Sequence, residues 1–504
     1  MTNKGQFILQ AKSGALAKSK QERSALNDLP HVEHNQEKRQ ARLLIDGNIH
    51  KISVLHSISE LGPKLIEMDA ADGLKHADAD LGDHYKLYPV RKYHTASVNA
   101  DHVAPSDTNT NHVSSTDLIH LSVRVEDSET GKPIEGATVI AYFDYASSKG
   151  APPATTNSSG VTQVLWLKTL PTISKMIVMP PELPTYWGLS QDNVSVSDEL
   201  TLKVKPVNPS FTDCVKATYP DNQCDLNTPV TVAVVDTGVA HHAGLNLVGG
   251  MNTVQGEEPD QYGSNGDPHG THVAGLVGAN DLVLGAAPGV RLRSYRVFGE
   301  GEKNATSYAI THAILDAVKD GCDIINLSLG VNEDDAVLKE AIDHARSCGS
   351  LVVAAGNNNY GGELGYPAAY TNCIGVSAMG IIDTTPKGSQ PTLDITDERG
   401  TNNDNYLAAF TSVGNGVNFI APGVGAISTI PENAYGQLSG TSMACPLVSG
   451  CAAALLANDA DLYASERDDL RSSKLESLLK SSASSLGFEP SEQGAGLPSE
   501  GSTE

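Results

Sequence analysis

The chain has 504 residues, which is too long for one ordinary domain, and we expect two or three domains. It carries 35 basic and 60 acidic residues for a net charge of −25, and its basic residues form no long run, so we predict no nucleic-acid partner. No segment approaches the roughly 20 apolar residues of a membrane span, and we predict none. The first residues lack the apolar core of a secretory signal, so we favour a cytoplasmic location over export by another route.

The N-terminal part of the chain divides into a polar stretch and a small mixed domain. Residues 1–40 are polar and are predicted to form a flexible N-terminal segment. Residues 41–96 contain an apolar strand at 43–46, a second strand at 65–69 and a helix-like stretch after it. This order predicts a small α+β domain.

A linker and a second small domain follow. Residues 97–116 are rich in Ser, Thr, Asn and Asp, which is typical of a flexible tether. Residues 118–125 alternate apolar and polar side chains like a half-buried strand, and turn sequences at 130–133 and 157–160 separate further apolar runs. Short strands with such turns predict a small β-sandwich over residues 117–205.

The remainder of the chain, residues 206–497, alternates strands and helices. Strands are predicted at 231–235, 290–297, 323–327 and 351–355, and helices at 305–319 and 333–346. This alternation predicts an α/β fold, in which a parallel sheet is covered by helices on both faces. Residues 498–504 are predicted to form a disordered tail.

Three short motifs in this region hold the residue types of a hydrolytic triad. Asp236 ends an apolar strand, which is where open α/β sheets place their sites, although it could merely cap a turn. His269 opens a helix in HGTHVAG, and His272 competes with it as the base. Ser442 starts an apolar helix, where free N–H groups stabilise a developing anion, although it could merely cap that helix. A serine needs an oriented base to become a nucleophile, and these residue types can supply one.

The order Asp, His, Ser and the flanking sequences VAVVDTGVA, DPHGTHVAG and LSGTSMACPLVSG resemble the subtilisin-like serine peptidases, the subtilases. The resemblance covers roughly residues 205–497. It implies hydrolysis of protein or peptide substrates through an acyl-enzyme. Ser442 would be the nucleophile, His269 the general base and Asp236 the residue that orients the base.

The resemblance also implies an oxyanion hole and an S1 pocket. In the family the Asn of AAGN donates to the oxyanion, and this role falls on Asn357, because Asn358 and Asn359 are out of register with the motif. The residues implied to line the S1 pocket are Ser328, Leu329, Gly330, Ala354, Ala355, Gly356 and Gly365. These residues are small and no acidic residue stands at the base, so we expect a deep apolar slot that prefers Phe, Tyr, Leu or Met at P1.

A looser resemblance covers residues 41–96, which look like the inhibitory propeptide of many subtilases. It implies a self-inhibited zymogen with its own propeptide as intramolecular inhibitor. A generic α+β domain without an inhibitory role is the alternative for this region. For the whole chain, two alternatives stay open: a target-restricted protease whose β-sandwich binds a partner, and an inactive subtilase-like scaffold.

The cysteines and the surface loops indicate no metal site. The seven cysteines show no metal-ligand spacing, although Cys214 and Cys224 could bridge a short loop. The loop at 279–285 is shorter than the segment that wraps calcium in many relatives, so we assign no metal residues and expect no required cofactor, with structural calcium left unassigned. Leu447 stands where the family commonly has His. Cys445 lies one helical turn from the serine, which implies either thiol sensitivity or core filling.

Overall fold

The computed structural model describes residues 3–34, 36–45, 48–81, 84–108, 118–197, 199–220 and 226–499. Within these residues three bodies follow one another along the chain, each with its own hydrophobic core. Residues 109–117 of the predicted linker, Cys224 of the predicted disulfide and residues 500–504 of the predicted tail lie outside the described residues.

The first body is an antiparallel sheet with two helices, Lys20–Asn27 and Ala70–His76. In spatial order its described strands are Arg39–Ile45, Asn48–Ser57, Lys64–Asp69, Lys4–Ala11, Tyr85–Pro89 and Ala79–Leu81.

The prediction that residues 1–40 form a flexible segment is wrong, and the first body begins at Lys4 rather than at residue 41. The strand Lys4–Ala11 lies inside the sheet, with a paired strand on each side. Its side chains from Phe7 onward are buried because the sheet packs on its own core with one face and against the third body with the other.

The second body consists of two sheets that enclose one core built around Trp166. One sheet holds Lys149–Gly150, Thr138–Asp144, Thr172–Met179 and Leu189–Ser195, with Ala154–Thr155 also paired to Thr138–Asp144. The other holds Val161–Leu167, Leu118–Asp127 and Glu199–Val204. Alternating side chains of the strand Glu199–Val204 are buried, as expected for a strand with one solvated face.

The third body is built on nine described strands of one mixed sheet. Their spatial order is Leu247–Asn252, Arg291–Arg296, Thr231–Asp236, Ile324–Leu327, Leu351–Ala355, Ile374–Ile381, Asn405–Ala408 and Ile395–Arg399, and Val417–Pro422 also pairs with Ile374–Ile381. The first six strands run parallel, whereas Asn405–Ala408 and Ile395–Arg399 add an antiparallel edge.

Helices cover both faces of this sheet, which is the α/β arrangement. His269–Gly278 and Thr441–Asn458 pack on one face, and Ser307–Lys319 and Ala336–Ser347 pack on the other. The smaller elements are the helices Ala100–Val103, Cys214–Thr218, Ala460–Ala464, Asp469–Ser482 and Pro490–Gln493, the 3-10 turns Gln390–Asp394 and Pro431–Asn433, and the hairpin Ala426–Ile430 with Ala434–Leu438. Among the described residues, Thr441–Asn458 is the one helix long and apolar enough to cross a membrane, and 94% of its residues are buried in this core.

Candidate active site

Asp236 and His269 form a buried, hydrogen-bonded pair. Asp236 is the last residue of the strand Thr231–Asp236, and His269 is the first residue of the helix His269–Gly278. His269 Nδ1 lies 2.7 Å from Asp236 Oδ1, and neither side chain is more than 2% exposed. The same carboxylate oxygen accepts the Thr237 N–H at 2.7 Å. The pair therefore favours the histidine tautomer with its proton on Nδ1.

The electrostatics of His269 follow from this pair. Burial lowers the pKa of the imidazole, but the charge and the hydrogen bond of Asp236 outweigh burial, and the net change in pKa is upward. His269 Nε2 is buried and has no hydrogen-bond partner within the described chain. A free Nε2 lone pair on an oriented imidazole is what a general base requires.

Ser442 lies at the start of the helix Thr441–Asn458 and is fully buried. Its Oγ donates to the Ser328 carbonyl at 2.9 Å rather than to His269. Pro446 has no N–H to donate back to the Ser442 carbonyl, and the Ser328 hydroxyl donates to that carbonyl at 3.0 Å instead. The two serines thus exchange hydrogen bonds, which ties the helix start to the adjacent cleft wall.

A segment of the chain itself occupies the cleft beside Ser442. The strand Lys92–Thr95 pairs antiparallel with Ala305–Thr306 on one side and with Leu329–Gly330 on the other. An extended peptide held by backbone pairing on both sides has the geometry of a bound substrate strand.

Ala96 follows this strand and brings its carbonyl to the serine. The Ser442 N–H donates to the Ala96 carbonyl at 3.0 Å, and the Ala96 N–H donates to the Ser328 carbonyl at 3.3 Å. Two residues later, the Val98 N–H donates to the Ser439 carbonyl at 2.8 Å. The peptide bond after Ala96 is therefore fixed across the start of the serine helix.

The side-chain amide of the predicted oxyanion residue Asn357 is hydrogen-bonded to Asn332. The φ of Asn357 is +77°, and its Nδ2 donates to Asn332 Oδ1 at 3.0 Å. The next residue, Asn358, faces the serine helix, because its Oδ1 accepts the N–H and the hydroxyl of Thr441 at 3.1 and 3.0 Å. The left-handed turn at Asn357 gives the two amides different directions, which the AAGN motif alone did not reveal.

Asn357 lies beside two of the glycines that are predicted to line the S1 pocket. Ala354 and Ala355 pack in the cores on the two faces of their strand. A methyl group on Gly365 would lie 2.7 Å from Asn357 Nδ2, and one on Gly330 would lie 3.3 Å from Asn357 Cγ. The Asn357 amide therefore fills the space between these two glycines.

The other predicted pocket residues lie in the wall of the cleft or in the core beneath it. Ser328 is hydrogen-bonded to Ser442 and to Ala96, and Leu329 is buried in the core. The Gly356 N–H donates to the Val376 carbonyl at 2.8 Å. The structure therefore brings Ser328, Gly330 and Gly365 to the cleft and leaves the two alanines in the sheet.

Neighbours of the triad have structural roles. His272 Nε2 lies 3.0 Å from the Ala426 carbonyl, and burial lowers the pKa of His272 to about 3, so it is not the base. The Cys445 thiol donates to Asn326 Oδ1 at 3.2 Å, and burial raises its pKa, which favours core filling over thiol sensitivity. Leu447 is fully buried in the core.

Among the described residues, no group of three or more His, Cys, Asp or Glu side chains could hold a metal ion.

Comparison with known proteins identifies the family. The Subtilase family profile matches residues 227–496, which is more than half of the chain. The chain is 38% identical over 242 residues to alkaline elastase YaB of Bacillus sp. (strain YaB), covering 47% of this chain and 57% of that protein. It is 38% identical to subtilisin DY of Bacillus licheniformis over 51% of this chain and 85% of the relative. It is 36% identical to subtilisin Savinase of Lederbergia lenta, over 54% of this chain and 90% of that protein.

The chain therefore belongs to the subtilase family. Its third body is a subtilisin-like serine endopeptidase, and the class indicated by the three sequence motifs is confirmed.

Three residues that contact the reacting region escaped the sequence analysis. Ala96 has no functional side chain, and its position follows from the register of the strand before it. Ser439 contacts the cleft strand only through its backbone carbonyl. Its position three residues before Ser442 is the sequence feature that could have indicated this contact. Asn358 contacts Thr441, whereas the AAGN motif points to its neighbour Asn357.

Proposed function

We propose that this chain is made as a self-inhibited precursor that hydrolyses peptide bonds through an acyl-enzyme on Ser442. Its first substrate is its own bond between Ala96 and Ser97. The observation that carries the proposal is the Ala96 carbonyl, which accepts the Ser442 N–H at 3.0 Å while the strand before it is paired on both sides. A scissile carbonyl in an oxyanion hole is placed in this way.

The proposed chemistry starts with a rotation of the Ser442 hydroxyl toward His269 Nε2. His269 takes the proton as Oγ attacks the Ala96 carbonyl carbon, and the Ser442 N–H stabilises the oxyanion. His269 then returns the proton to the leaving amine of Ser97. A water molecule, deprotonated by His269, next attacks the acyl-enzyme carbonyl, and the imidazolium returns that proton to Ser442 Oγ as the ester bond breaks. Asp236 stabilises the imidazolium in both steps.

The packing of the first body supports its role as the inhibitor. Ile8, Leu65 and Tyr88 of its sheet form one apolar cluster with Tyr308 and Val337 of two helices in the third body. The strand that ends at the scissile bond is held in the cleft by backbone pairing. The fragment released by the first cut would therefore stay bound as a product inhibitor.

The test is intact mass and N-terminal sequencing of the wild type beside Ser442→Ala. We expect the wild type to show a new N-terminus at Ser97 and covalent labelling by a fluorophosphonate, and the variant to stay whole and unlabelled. An uncut wild type that still hydrolyses peptides would contradict the proposal of a self-cleaving precursor. An uncut wild type that is not labelled would also contradict the proposed acyl-enzyme on Ser442.

A second candidate function gives the second body a part in target selection. The groove that holds Val98 encloses about 1180 Å³, and part of its wall comes from the second body, namely Gly136, Thr138, Thr155 and Met179. Thr155→Trp is expected to slow cleavage of long substrates and to spare short peptides that end near P1. Gln163→Trp, which is also exposed but outside the groove, is the control. Equal effects on both substrate lengths would contradict this role.

The proposed mechanism draws its acid, base and oxyanion donor from this chain. That no cofactor is required stays a prediction, structural calcium stays unassigned, and a cytoplasmic location stays a prediction.

A further inference from the structure

The chain beyond the proposed scissile bond also lies in the cleft. Val98 is buried, and its N–H donates to the carbonyl of Ser439, three residues before Ser442, at 2.8 Å. A methyl group on Gly440 would lie 2.7 Å from Ser97 Cα, so the backbone at Ser97 packs directly against the start of the serine helix. Residues 97 and 98 therefore fill the primed half of the cleft, where the residues after a cleaved bond bind.

The second body holds the residues that follow. Ala100 and Val103 pack on an apolar patch of the second body, and the Tyr142 hydroxyl donates to the Val103 carbonyl. The buried members of this patch are Ile140, Tyr142, Ile177 and Met179. Further along, Asp107 pairs in parallel with the edge strand Lys149–Gly150. Residues 97–107, here called the new N-terminal segment, are therefore held at one end by the cleft and over the rest by the second body.

The patch has a fixed position relative to the cleft. Leu393 of the third body packs on the same patch. The Ser190 N–H donates to the Gly388 carbonyl at 2.7 Å, and the Gln390 N–H donates to the Gly188 carbonyl at 3.0 Å. Both partners of each of these contacts follow Ala96 in the chain, so a cut after Ala96 leaves the contacts intact.

We propose that the second body retains the new N-terminal segment after the cut, so that this segment competes with substrates for the primed half of the cleft. The inference rests on the proposed function, because it requires the cut between Ala96 and Ser97. A segment tethered in the same chain acts as a ligand at an effective concentration on the order of 1 mM. With an intrinsic dissociation constant of about 0.1 mM, it would occupy the cleft about nine tenths of the time. Release of residues 1–96 therefore clears only the other half of the cleft.

The location of the segment is measured by hydrogen exchange and mass spectrometry on the cleaved protein, after chromatographic removal of residues 1–96. Peptides from residues 97–107 are expected to exchange at least about tenfold more slowly than an unstructured peptide. Val103→Asp places a charge against the apolar patch and should remove this protection. Val161→Asp, the same exchange at a half-buried valine on the other sheet of the second body, should keep it. Fast exchange of the segment in the cleaved wild type would overturn the inference.

Competition by the segment is measured on the same cleaved proteins with two probes. A fluorophosphonate has no residues beyond P1, whereas an internally quenched peptide extends several residues beyond its scissile bond. Val103→Asp is expected to raise kcat/KM for the peptide about tenfold and to leave the rate of Ser442 labelling within about twofold of the wild type. Val161→Asp should match the wild type with both probes.

A milder variant covers the case in which Val103→Asp does not fold. Tyr142→Phe removes only the hydrogen bond to the Val103 carbonyl and should raise kcat/KM for the peptide about threefold. Thermal unfolding checks that each variant is folded. If folded variants release the segment by hydrogen exchange but hydrolyse the peptide no faster than the wild type, the segment does not compete and the inference is overturned.

Failure of the proposed function gives a different result, which intact mass shows first. If the wild type stays uncut, hydrogen exchange is compared between the uncut wild type and uncut Val103→Asp. The variant should exchange faster over residues 97–107, whereas the strand Lys92–Thr95, which is paired on both sides, should stay protected in both proteins. Equal exchange of the segment in the two proteins would show that the second body does not hold it and would overturn the inference.

Discussion

The Asp236 carboxylate acts on His269 in two ways. It accepts the Nδ1 proton at 2.7 Å, which leaves the Nε2 lone pair for the serine, and its charge raises the imidazole pKa against the effect of burial. The Thr237 N–H holds the same oxygen and keeps the carboxylate from rotating. The His269 imidazole is therefore held in one orientation by the carboxylate.

Asp236→Asn is expected to lower kcat by about 10⁴-fold with little change in KM, because an amide can donate to Nδ1 and favours the wrong tautomer. The measurement is peptide hydrolysis beside thermal unfolding, which should show a folded protein. Asp343→Asn, the same exchange at a surface ion pair with Lys339, should leave kcat unchanged. A loss of less than tenfold in Asp236→Asn would contradict the role of the pair.

At the scale of residues, the positions predicted from the sequence agree with the structure where a motif determines the local backbone conformation. Asp236 and His269 stand at a strand end and a helix start, as predicted, and they meet there. Asn357 and Asn358 could not be distinguished, because the direction of each amide depends on one left-handed residue that the sequence does not mark. Ala96 could not be found either, because its role lies in its backbone.

At the scale of elements, the apolar pattern predicts the third body to within a few residues. The predicted helix 305–319 is Ser307–Lys319, and the predicted strand 323–327 is Ile324–Leu327. Both are buried, so their periodicity is a strong signal. The strand Lys4–Ala11 was missed because it is buried on both faces and its partners are distant in sequence, so its local pattern resembles neither a half-buried strand nor a helix.

The helix Asp469–Ser482 is anchored to the sheet by a charge cluster. Asp323 Oδ1 accepts from Arg467 at 2.7 Å and from Arg471 at 2.8 Å, and its Oδ2 accepts the Thr231 N–H at 3.0 Å. Asp323 and Arg471 are each only 2% exposed, so removal of the carboxylate leaves a buried guanidinium without its partner. The cluster therefore joins the helix Asp469–Ser482 to the strand Thr231–Asp236.

Asp323→Ala is expected to lower the free energy of unfolding by about 3–5 kcal/mol, the usual result of breaking a buried ion pair. Denaturant unfolding is measured in a Ser442→Ala background, which prevents self-digestion. Lys339→Ala, which breaks an exposed pair on one helix, should change the free energy by no more than about 1 kcal/mol. Equal losses in the two variants would show that the cluster does not anchor the helix.

At the scale of the whole molecule, histidines gather where the first body meets the third. His56 Nδ1 lies 2.8 Å from the Tyr308 hydroxyl, and its ring is 5.3 Å from that of His312 and 6.0 Å from that of His34. The other charged or titratable groups beside them are His31, Glu258 and Asp316. Burial, with the neighbouring histidines, lowers the pKa of His56 to about 3 and also lowers that of His34.

Acid is therefore expected to loosen the first body from the third after the cut at Ala96. A pKa below the ordinary 6.5 means that assembly favours neutral His56, so the contact is fully stable above that pH and weakens as the pH falls. For His56, each pH unit below 6.5 weakens the contact by up to about 1.4 kcal/mol, until the lowered pKa is reached.

Size-exclusion chromatography of the cleaved protein is the measurement, because acid also protonates His269 and would confuse an activity assay. The cleaved protein is expected to stay associated at about pH 7.5 and to dissociate more at about pH 5.5. His56→Gln can still hydrogen-bond to Tyr308 but does not titrate, so it should dissociate at a lower pH than the wild type. His120→Gln, on an exposed site of the second body, should match the wild type. If His56→Gln follows the wild-type curve, another group drives the release, because His56 protonation would then contribute nothing to the loss of contact.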